Sequence, residues 1–217
     1  MDNEEYALRQ AIIQQARWMN SSGLNQGLSG NISVRYQNKL LITPSGRAYE
    51  TLEPEHIAQI DLKQGYDSWQ GVFKPSSEWR IHFDILNSRP EINAVVHTHS
   101  TFATALSITR RPIPAIHYMI ALFGGNDIRC AAYATFGTAA LSQLALAALQ
   151  DRLGCLLANH GMIALGTSLP KAMWQAQELE TLAKQYYFAL QIGNPIILSD
   201  TDIEAARLKF SGYGLQE

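Results

Sequence analysis

The chain has 217 residues, of which 47% are hydrophobic and 17% charged, a balance that is ordinary for a packed globular domain. Its 17 basic and 19 acidic residues give a net charge of -2 and form no run of like charges, which excludes the basic patch of a nucleic-acid-binding or membrane-surface protein. The N-terminus is acidic and lacks the apolar segment of a signal peptide, no stretch approaches the 18 or more apolar residues of a membrane span, and the two cysteines form no CxxC pair. We therefore expect a cytoplasmic protein that acts on a small molecule.

The first part of the chain predicts a helix and a pair of strands. Apolar residues recur every three or four positions over residues 4–22, which is typical of an amphipathic helix. The segments "NISVRY" (31–36) and "KLLIT" (39–43) are short and rich in β-branched and apolar residues, and a polar turn separates them. The segment "SSEWRIHFDILNSR" predicts a second helix from about residue 77, with its serines suited to cap it.

The rest of the chain alternates strands and helices. The apolar segment "NAVVHTH" predicts a strand over residues 93–99. Further predicted elements are a helix over 101–108, a strand over 128–135, a helix over 138–152, two strand segments within 155–166, and helices over 168–193 and 200–210. Because the elements interleave without a repeat, a low-complexity segment or a linker, the sequence predicts a single α/β domain over residues 1–217.

Two histidines follow directly on the apolar segment "NAVV". In a strand, side chains two positions apart point to the same face, so His97 and His99 should point the same way, about 6.6 Å apart along the strand. Such a pair can share a metal ion, share a proton, or simply end a loop. His160 in "LLANHG" likewise ends an apolar segment, and three neutral imidazoles are typical of an open zinc site. The three histidines therefore favour a metal site, whereas isolated histidines such as His82 are interpreted as structural.

Other classes of protein with an HxH motif or a hydrolytic site do not fit. Cupin-like sites have a glutamate shortly after the HxH pair, but residues 100–105 are "STFATA". Amidohydrolase barrels need roughly 250 residues, and a serine hydrolase would need a GxSxG motif, which the sequence lacks.

Three short segments rich in glycine, serine or asparagine could bind a phosphate. They are "GLSGN" (27–31), "TPSG" (43–46) and "KPSSEW" (74–79). Small hydroxyls and free backbone N–H groups in turns or at a helix N-terminus bind phosphate without a basic side chain. Each segment by itself is equally typical of an ordinary turn, and Glu78 in the third is typical of the exposed first turn of a helix.

Eight segments in chain order resemble the class II aldolase/adducin family. They are "GLNQGLSGNISVRY", "ITPSG", "KPSSEWRIHF", "NAVVHTHS", "IPAIHYMIA", "YATFGT", "LLANHG" and the terminal "KF…YGL". Together they extend from about residue 5 to residue 215, and the resemblance is strongest to members that cleave L-fuculose 1-phosphate. Thr98 and Ser100, beside the second histidine, are the two departures.

The resemblance implies a fold and a set of site residues. The implied fold is three-layered, with a central mixed, mainly antiparallel β-sheet flanked by helices. The implied metal ligands are His97, His99 and His160, with Glu78 as a fourth ligand at rest and as the catalytic base when substrate binds. Zn²⁺ is the expected ion, one per subunit, with Mn²⁺ and Co²⁺ as alternatives. The implied phosphate-binding residues are Gly30, Asn31, Ser45, Gly46, Ser76 and Ser77.

The resemblance also implies residues on the aldehyde side of the substrate and an oligomeric state. Tyr118 would act as the acid and would reach the site from the neighbouring subunit of a homotetramer. Phe136 and Tyr213 would line the aldehyde side.

The implied reaction is cleavage of a ketose 1-phosphate, with L-fuculose 1-phosphate the favoured substrate, to dihydroxyacetone phosphate and L-lactaldehyde through an enediolate. Two enzymatic alternatives remain, namely cleavage of 5-deoxyribulose or 5-methylthioribulose 1-phosphate and 4-epimerisation of a pentulose 5-phosphate. Glu78, where the related epimerases tend to have Asp, favours an aldolase. A non-catalytic, adducin-type assembly module is the alternative outside enzymes, and such relatives lack the metal histidines.

Overall fold

The computed structural model describes residues 1–210. Its helices are α1 (Asn3–Ser21), α2 (Trp79–Ser88), α3 (Thr101–Ile108), α4 (Ala139–Ala148), α5 (Leu169–Ile192) and α6 (Asp200–Phe210). Its strands are β1 (Asn31–Tyr36), β2 (Lys39–Ile42), β3 (Ala58–Asp61), β4 (Ala94–Thr98), β5 (Ile113–Pro114), β6 (Asp127–Ile128), β7 (Cys130–Ala131), β8 (Gly154–Leu157) and β9 (Gly161–Gly166). Tyr213 lies outside the described residues.

Seven strands form one sheet in the order β3-β2-β1-β4-β9-β8-β7, and β5 pairs with β6 separately. Neighbouring strands of the large sheet are antiparallel except β7 and β8, which are parallel. The predicted mixed, mainly antiparallel sheet is therefore confirmed.

Helices cover both faces of this sheet because its central strands are apolar on both sides. Val96 on β4 packs in one core with residues of α1, α3 and α5, whereas its neighbour Val95 packs in a second core with residues of α2 and α4. Both side chains are fully buried, as the alternation of side chains along a strand requires when each face is covered. Three layers result, with β4 and β9 in the middle.

The structure differs from the sequence-based prediction at a few element boundaries. The strand predicted over 128–135 is two short strands, β6 and β7, and the helix predicted over 138–152 ends at Ala148. Strand β3 was not predicted. Helix α2 begins at Trp79, so Glu78 rather than a serine occupies the N-cap position. None of the helices among the described residues is long and apolar enough to cross a membrane.

Candidate active site

Four side chains meet at the end of the central strand β4. His97 is near the end of β4, His99 follows that strand directly, and His160 lies in the turn between β8 and β9. Glu78 comes from the N-cap of α2 on the same side of the sheet. Because β9 pairs with β4, and α2 packs across this face, three separate parts of the chain converge there.

The ligand atoms of these four residues form one compact cluster. All of them lie within 4.8 Å of one another. The centroids of the His97, His99 and His160 rings are 4.8 to 4.9 Å apart, with interplanar angles of 72 to 75°. Nε2 of His97 lies 3.0 Å from Oε2 of Glu78, and Nε2 of His160 lies 3.2 Å from its Oε1. The convergence predicted for His97 and His99 is confirmed, with their Nε2 atoms 3.1 Å apart.

The hydrogen bonds around the cluster show that its donor set fits a cation. Nδ1 of His97 lies 2.8 Å from the carbonyl oxygen of Met162, which can only accept, so Nδ1 carries the proton. The lone pair on Nε2 of neutral His97 then faces the Glu78 carboxylate. A second proton on His97 would satisfy Oε2 alone, and Oε1 of Glu78 would remain a buried oxygen without a hydrogen-bond partner among the described residues. Glu78 and the three imidazoles would hold a divalent cation, whose charge would offset that of the buried carboxylate.

Burial and mutual contact set the ionisation of the cluster. Burial, followed by the positive charge that His97 carries when it is protonated, lowers the pKa of His99 and of His160 to about 4, so both imidazoles are neutral at pH 7. Burial alone would raise the pKa of the Glu78 carboxyl, but the adjacent His97 and His160 hold that pKa well below its usual range. A carboxylate and neutral imidazoles are the forms that bind a metal ion.

Backbone geometry lets the histidine-bearing segments approach each other closely. A Cβ at Gly161 would lie 2.4 Å from the carbonyl oxygen of Thr98 and 3.0 Å from Cδ2 of His99, so only glycine fits behind that imidazole. Asn159, just before His160, adopts a left-handed conformation with φ of 55°, which asparagine tolerates better than most residues.

The structure brings the three glycine- and serine-rich segments together beside the cluster. Pro44 and Pro75 form an antiparallel bridge between the second and third segments. The first segment joins them through Asn31, whose side-chain amide donates to Oε2 of Glu78 over 3.2 Å. Ser76 is buried, and its hydroxyl accepts a hydrogen bond from the backbone N–H of Glu78 over 3.2 Å.

Not every backbone N–H in these segments is free, contrary to the expectation from the sequence. The N–H of Ser45 donates to the carbonyl of Lys74, and the N–H of Ser76 donates to that of Thr43. These bonds hold the two loops against each other. Within residues 1–210, the N–H groups of Gly30, Gly46 and Ser77 make no such bond, so these three groups and the serine hydroxyls are among the donors left for a ligand.

The residues expected on the aldehyde side are exposed in the single chain. Tyr118 is 52% exposed, and its ring stacks on that of Phe210 with centroids 5.9 Å apart. Phe136 is also exposed and precedes Gly137, at which a Cβ would lie 2.8 Å from the carbonyl oxygen of Ser77. The Phe136 loop therefore packs over the residue before Glu78. Tyr213, expected on the same side, is outside the described part of the chain.

Three further residues support the site and were not assigned a role from the sequence. Asn25 is buried, and its side-chain oxygen accepts from the backbone N–H of His99 over 3.3 Å. Glu180 on α5 accepts from the N–H groups of Phe102 and Ala103 at the start of α3, over 2.8 Å each. His82 is buried with both ring nitrogens hydrogen-bonded. Asn25 and His82 lie inside segments that resemble the family, whereas Glu180 lies in none of them, and only the tertiary contacts show what the three side chains do.

Comparisons with known proteins agree with this site. Residues 10–187 match the family described as the class II aldolase and adducin N-terminal domain. The chain therefore belongs to this family, as the resemblance predicted. Its relatives are enzymes named as aldolases, and this chain is a class II aldolase, an aldehyde-lyase.

Two of these relatives differ in the substrate that they are named for. The chain is 52% identical over 214 residues to the 5-methylthioribulose-1-phosphate/5-deoxyribulose-1-phosphate aldolase of Rhodospirillum rubrum, with 99% of this chain and 96% of the relative covered. It is 49% identical over 214 residues to the L-fuculose phosphate aldolase of Escherichia coli K12, with 98% of each covered. A solved L-fuculose 1-phosphate aldolase has a TM-score of 0.90 and 35% identity, over 97% of this chain and 98% of that one.

Proposed function

We propose that this aldolase cleaves L-fuculose 1-phosphate into dihydroxyacetone phosphate and L-lactaldehyde, and that residues 1–217 act as one domain. The observation that carries the proposal is the cluster of Glu78, His97, His99 and His160, whose ligand atoms lie within 4.8 Å of one another. The similarity to L-fuculose phosphate aldolases supports the choice of substrate.

The proposed cofactor is one Zn²⁺ per chain, with Mn²⁺ and Co²⁺ as alternatives. Imidazole nitrogens with one carboxylate suit zinc, whereas magnesium prefers a shell of oxygen ligands. When bound, the cation supplies Lewis acidity toward the carbonyl and the adjacent hydroxyl of the sugar phosphate.

The chain's own side chains would move the protons. In cleavage, the C4 hydroxyl loses a proton, the bond between C3 and C4 breaks to release the aldehyde, and the electron pair stays on the dihydroxyacetone phosphate fragment as an enediolate. Glu78 would then take up a proton from solvent and deliver it to C3 of that fragment. We assign the proton exchange with the aldehyde oxygen to Tyr118 from a neighbouring subunit. Glu78 is suited to its role because its carboxylate is buried within the cluster.

The phosphate would bind without a basic side chain in direct contact. We propose that it is held by Gly30, Asn31, Ser45, Gly46, Ser76 and Ser77. The bridge between Pro44 and Pro75 supports this proposal because it holds two of the serine-bearing loops together. Binding energy from the phosphate, which does not react, would orient the reacting carbons.

A second candidate substrate is 5-methylthioribulose or 5-deoxyribulose 1-phosphate. It is favoured by the 52% identity to the Rhodospirillum rubrum aldolase. The candidates share the phosphate half and differ only in the aldehyde released, which is L-lactaldehyde in the first case and methylthioacetaldehyde or acetaldehyde in the second. Phe136 and Tyr213, which we propose to line the aldehyde side, would therefore decide between them.

A panel of ketose 1-phosphates tests the substrate. The purified protein should release dihydroxyacetone phosphate from all three sugars, with the largest kcat/KM for L-fuculose 1-phosphate, and each aldehyde can be identified by mass spectrometry. A larger kcat/KM for 5-methylthioribulose 1-phosphate would transfer the assignment to the second candidate. Absence of dihydroxyacetone phosphate from every sugar would contradict the proposed cleavage itself.

We also propose a homotetramer whose active sites are shared between subunits. Tyr118 is exposed in the single chain and contacts Phe210 rather than the histidine cluster, which supports a role in a neighbouring subunit. We expect His97→Ala and Tyr118→Phe each to be nearly inactive. Tetramers refolded from a mixture of the two variants should regain activity, because some sites then combine an intact histidine cluster from one subunit with an intact Tyr118 from its neighbour. Mixed tetramers without activity, or a fully active monomer at high dilution, would contradict sharing of the site.

A further inference from the structure

A chain of buried hydrogen bonds runs from β1 through α2 to the metal-binding cluster. The hydroxyl of Ser33 lies 2.7 Å from Nδ1 of His82. Nε2 of His82 is hydrogen-bonded to the side-chain oxygen of Asn31, and the side-chain nitrogen of Asn31 donates to Oε2 of Glu78 over 3.2 Å. All four residues are buried, with exposures of 0% for Ser33, 1% for His82, 3% for Asn31 and 7% for Glu78.

The partners determine the direction of every bond in this chain. A carboxylate only accepts, so the amide nitrogen of Asn31 faces Glu78 and its oxygen faces His82. That oxygen also only accepts, so Nε2 of His82 must carry a proton. Neutral His82 then accepts at Nδ1 from the Ser33 hydroxyl. Burial lowers the pKa of His82 to about 3, which agrees with the neutral form.

The spacing along both elements explains why one imidazole can make these contacts. Asn31 and Ser33 are two residues apart on β1 and therefore point to the same face. Glu78 and His82 are four residues apart at the start of α2, so they lie on the same side of that helix. His82 thus bonds to two side chains that are neighbours on one face of the strand. Asn31 likewise bonds to two side chains that are neighbours on one side of the helix.

We propose that His82 is a positioning residue that holds the Asn31 amide in place with its nitrogen toward Glu78. The inference rests on the proposed function of Glu78 as metal ligand and base. An asparagine amide can turn over, exchanging its nitrogen and oxygen, and the turned amide would direct an acceptor at the carboxylate. With its proton on Nε2, His82 pairs only with the oxygen and so reinforces the orientation that the Glu78 carboxylate favours. An apolar residue would pack α2 on β1 as well but would leave the Asn31 oxygen without this bond.

Metal affinity tests the proposal independently of activity. We expect His82→Leu to weaken Zn²⁺ binding to the apo-protein by about 10- to 100-fold, the range for groups that orient metal ligands. A competition titration with a chromogenic chelator gives this value, and the visible spectrum of the Co²⁺-loaded variant should shift because Glu78 is held differently. His82→Gln, whose side-chain nitrogen can donate to Asn31, should restore most of the affinity.

Ser142→Ala provides a matched control on the other side of the same helix. The hydroxyl of Ser142 on α4 donates to Asp84 on α2 over 2.6 Å, so its removal deletes a buried bond of α2 without touching Asn31. We expect this variant to lose stability, as measured by thermal unfolding, while its Zn²⁺ affinity and Co²⁺ spectrum remain those of the wild type.

The outcomes separate this proposal from the proposed function. Zn²⁺ affinity of a folded His82→Leu variant within about twofold of the wild type, with an unchanged Co²⁺ spectrum, would overturn the role of His82. If His97→Ala also kept its zinc, the metal site itself would fail. If His82→Leu does not fold, Ser33→Ala decides, because the His82 ring then keeps only its bond to Asn31 and holds that amide less firmly. We expect Ser33→Ala to bind Zn²⁺ about 3- to 10-fold more weakly, and unchanged affinity would overturn the proposal.

Discussion

Replacing Glu78 with Gln should lower both aldol cleavage and the exchange of a carbon-bound hydrogen of dihydroxyacetone phosphate with solvent, each by about 10² to 10⁴. The exchange reaction needs the metal, the phosphate-binding residues and a base, but no aldehyde. Gln keeps the shape of Glu78 and lacks the basic oxygen. Replacing Tyr118 with Phe removes only a hydroxyl, so exchange should persist within about tenfold while cleavage falls by about 10² or more. Isotope exchange followed by NMR measures one activity, and aldehyde release measures the other.

The comparison needs a control for the loss of a tyrosine hydroxyl at the surface. Tyr187 on α5 is 38% exposed and lies on another part of the chain, so Tyr187→Phe should leave both activities unchanged. Since Glu78 is also a proposed ligand, the zinc content of Glu78→Gln must be measured alongside its activity. If Tyr118→Phe abolished exchange while Glu78→Gln left it intact, the assignments of base and acid would be reversed.

Each single replacement of His97, His99 or His160 with Ala should remove most of the bound metal and nearly all activity. Each imidazole supplies one of the nitrogen atoms in the cluster, and a site with fewer ligands binds zinc far more weakly. Metal content per chain after dialysis, measured by atomic emission, tests this. The wild type should regain activity when it is stripped with a chelator and reloaded with Zn²⁺, whereas the three variants should not.

His56→Ala serves as the control for these three variants. The His56 imidazole accepts a hydrogen bond from the backbone N–H of Glu53 at the surface, so its removal changes no residue of the cluster. Its metal content should equal that of the wild type. Full zinc occupancy in all three cluster variants would show that the metal is bound outside this cluster.

The sequence by itself was sufficient to predict the family from eight short segments and, through that resemblance, the mixed sheet. The convergence of the histidines in the cluster was predicted from local patterns. The alternation of side chains along a strand places His97 and His99 on one face before any tertiary contact is known. The apolar segments before His97 and His160 predict that both histidines lie at strand ends, and the structure confirms this for the two segments.

Only the tertiary structure decided how Glu78, Asn31 and His82 are oriented. From the sequence, Glu78 is typical of the exposed first turn of a helix, but its carboxylate is buried against His97. His82 was interpreted as structural because a single histidine in an apolar helix carries no pattern that points to a site. Its hydrogen bond to Asn31 joins residues 51 positions apart in the chain. Such contacts depend on how α2 packs across β1, and this packing is determined by the whole core rather than by the neighbouring residues.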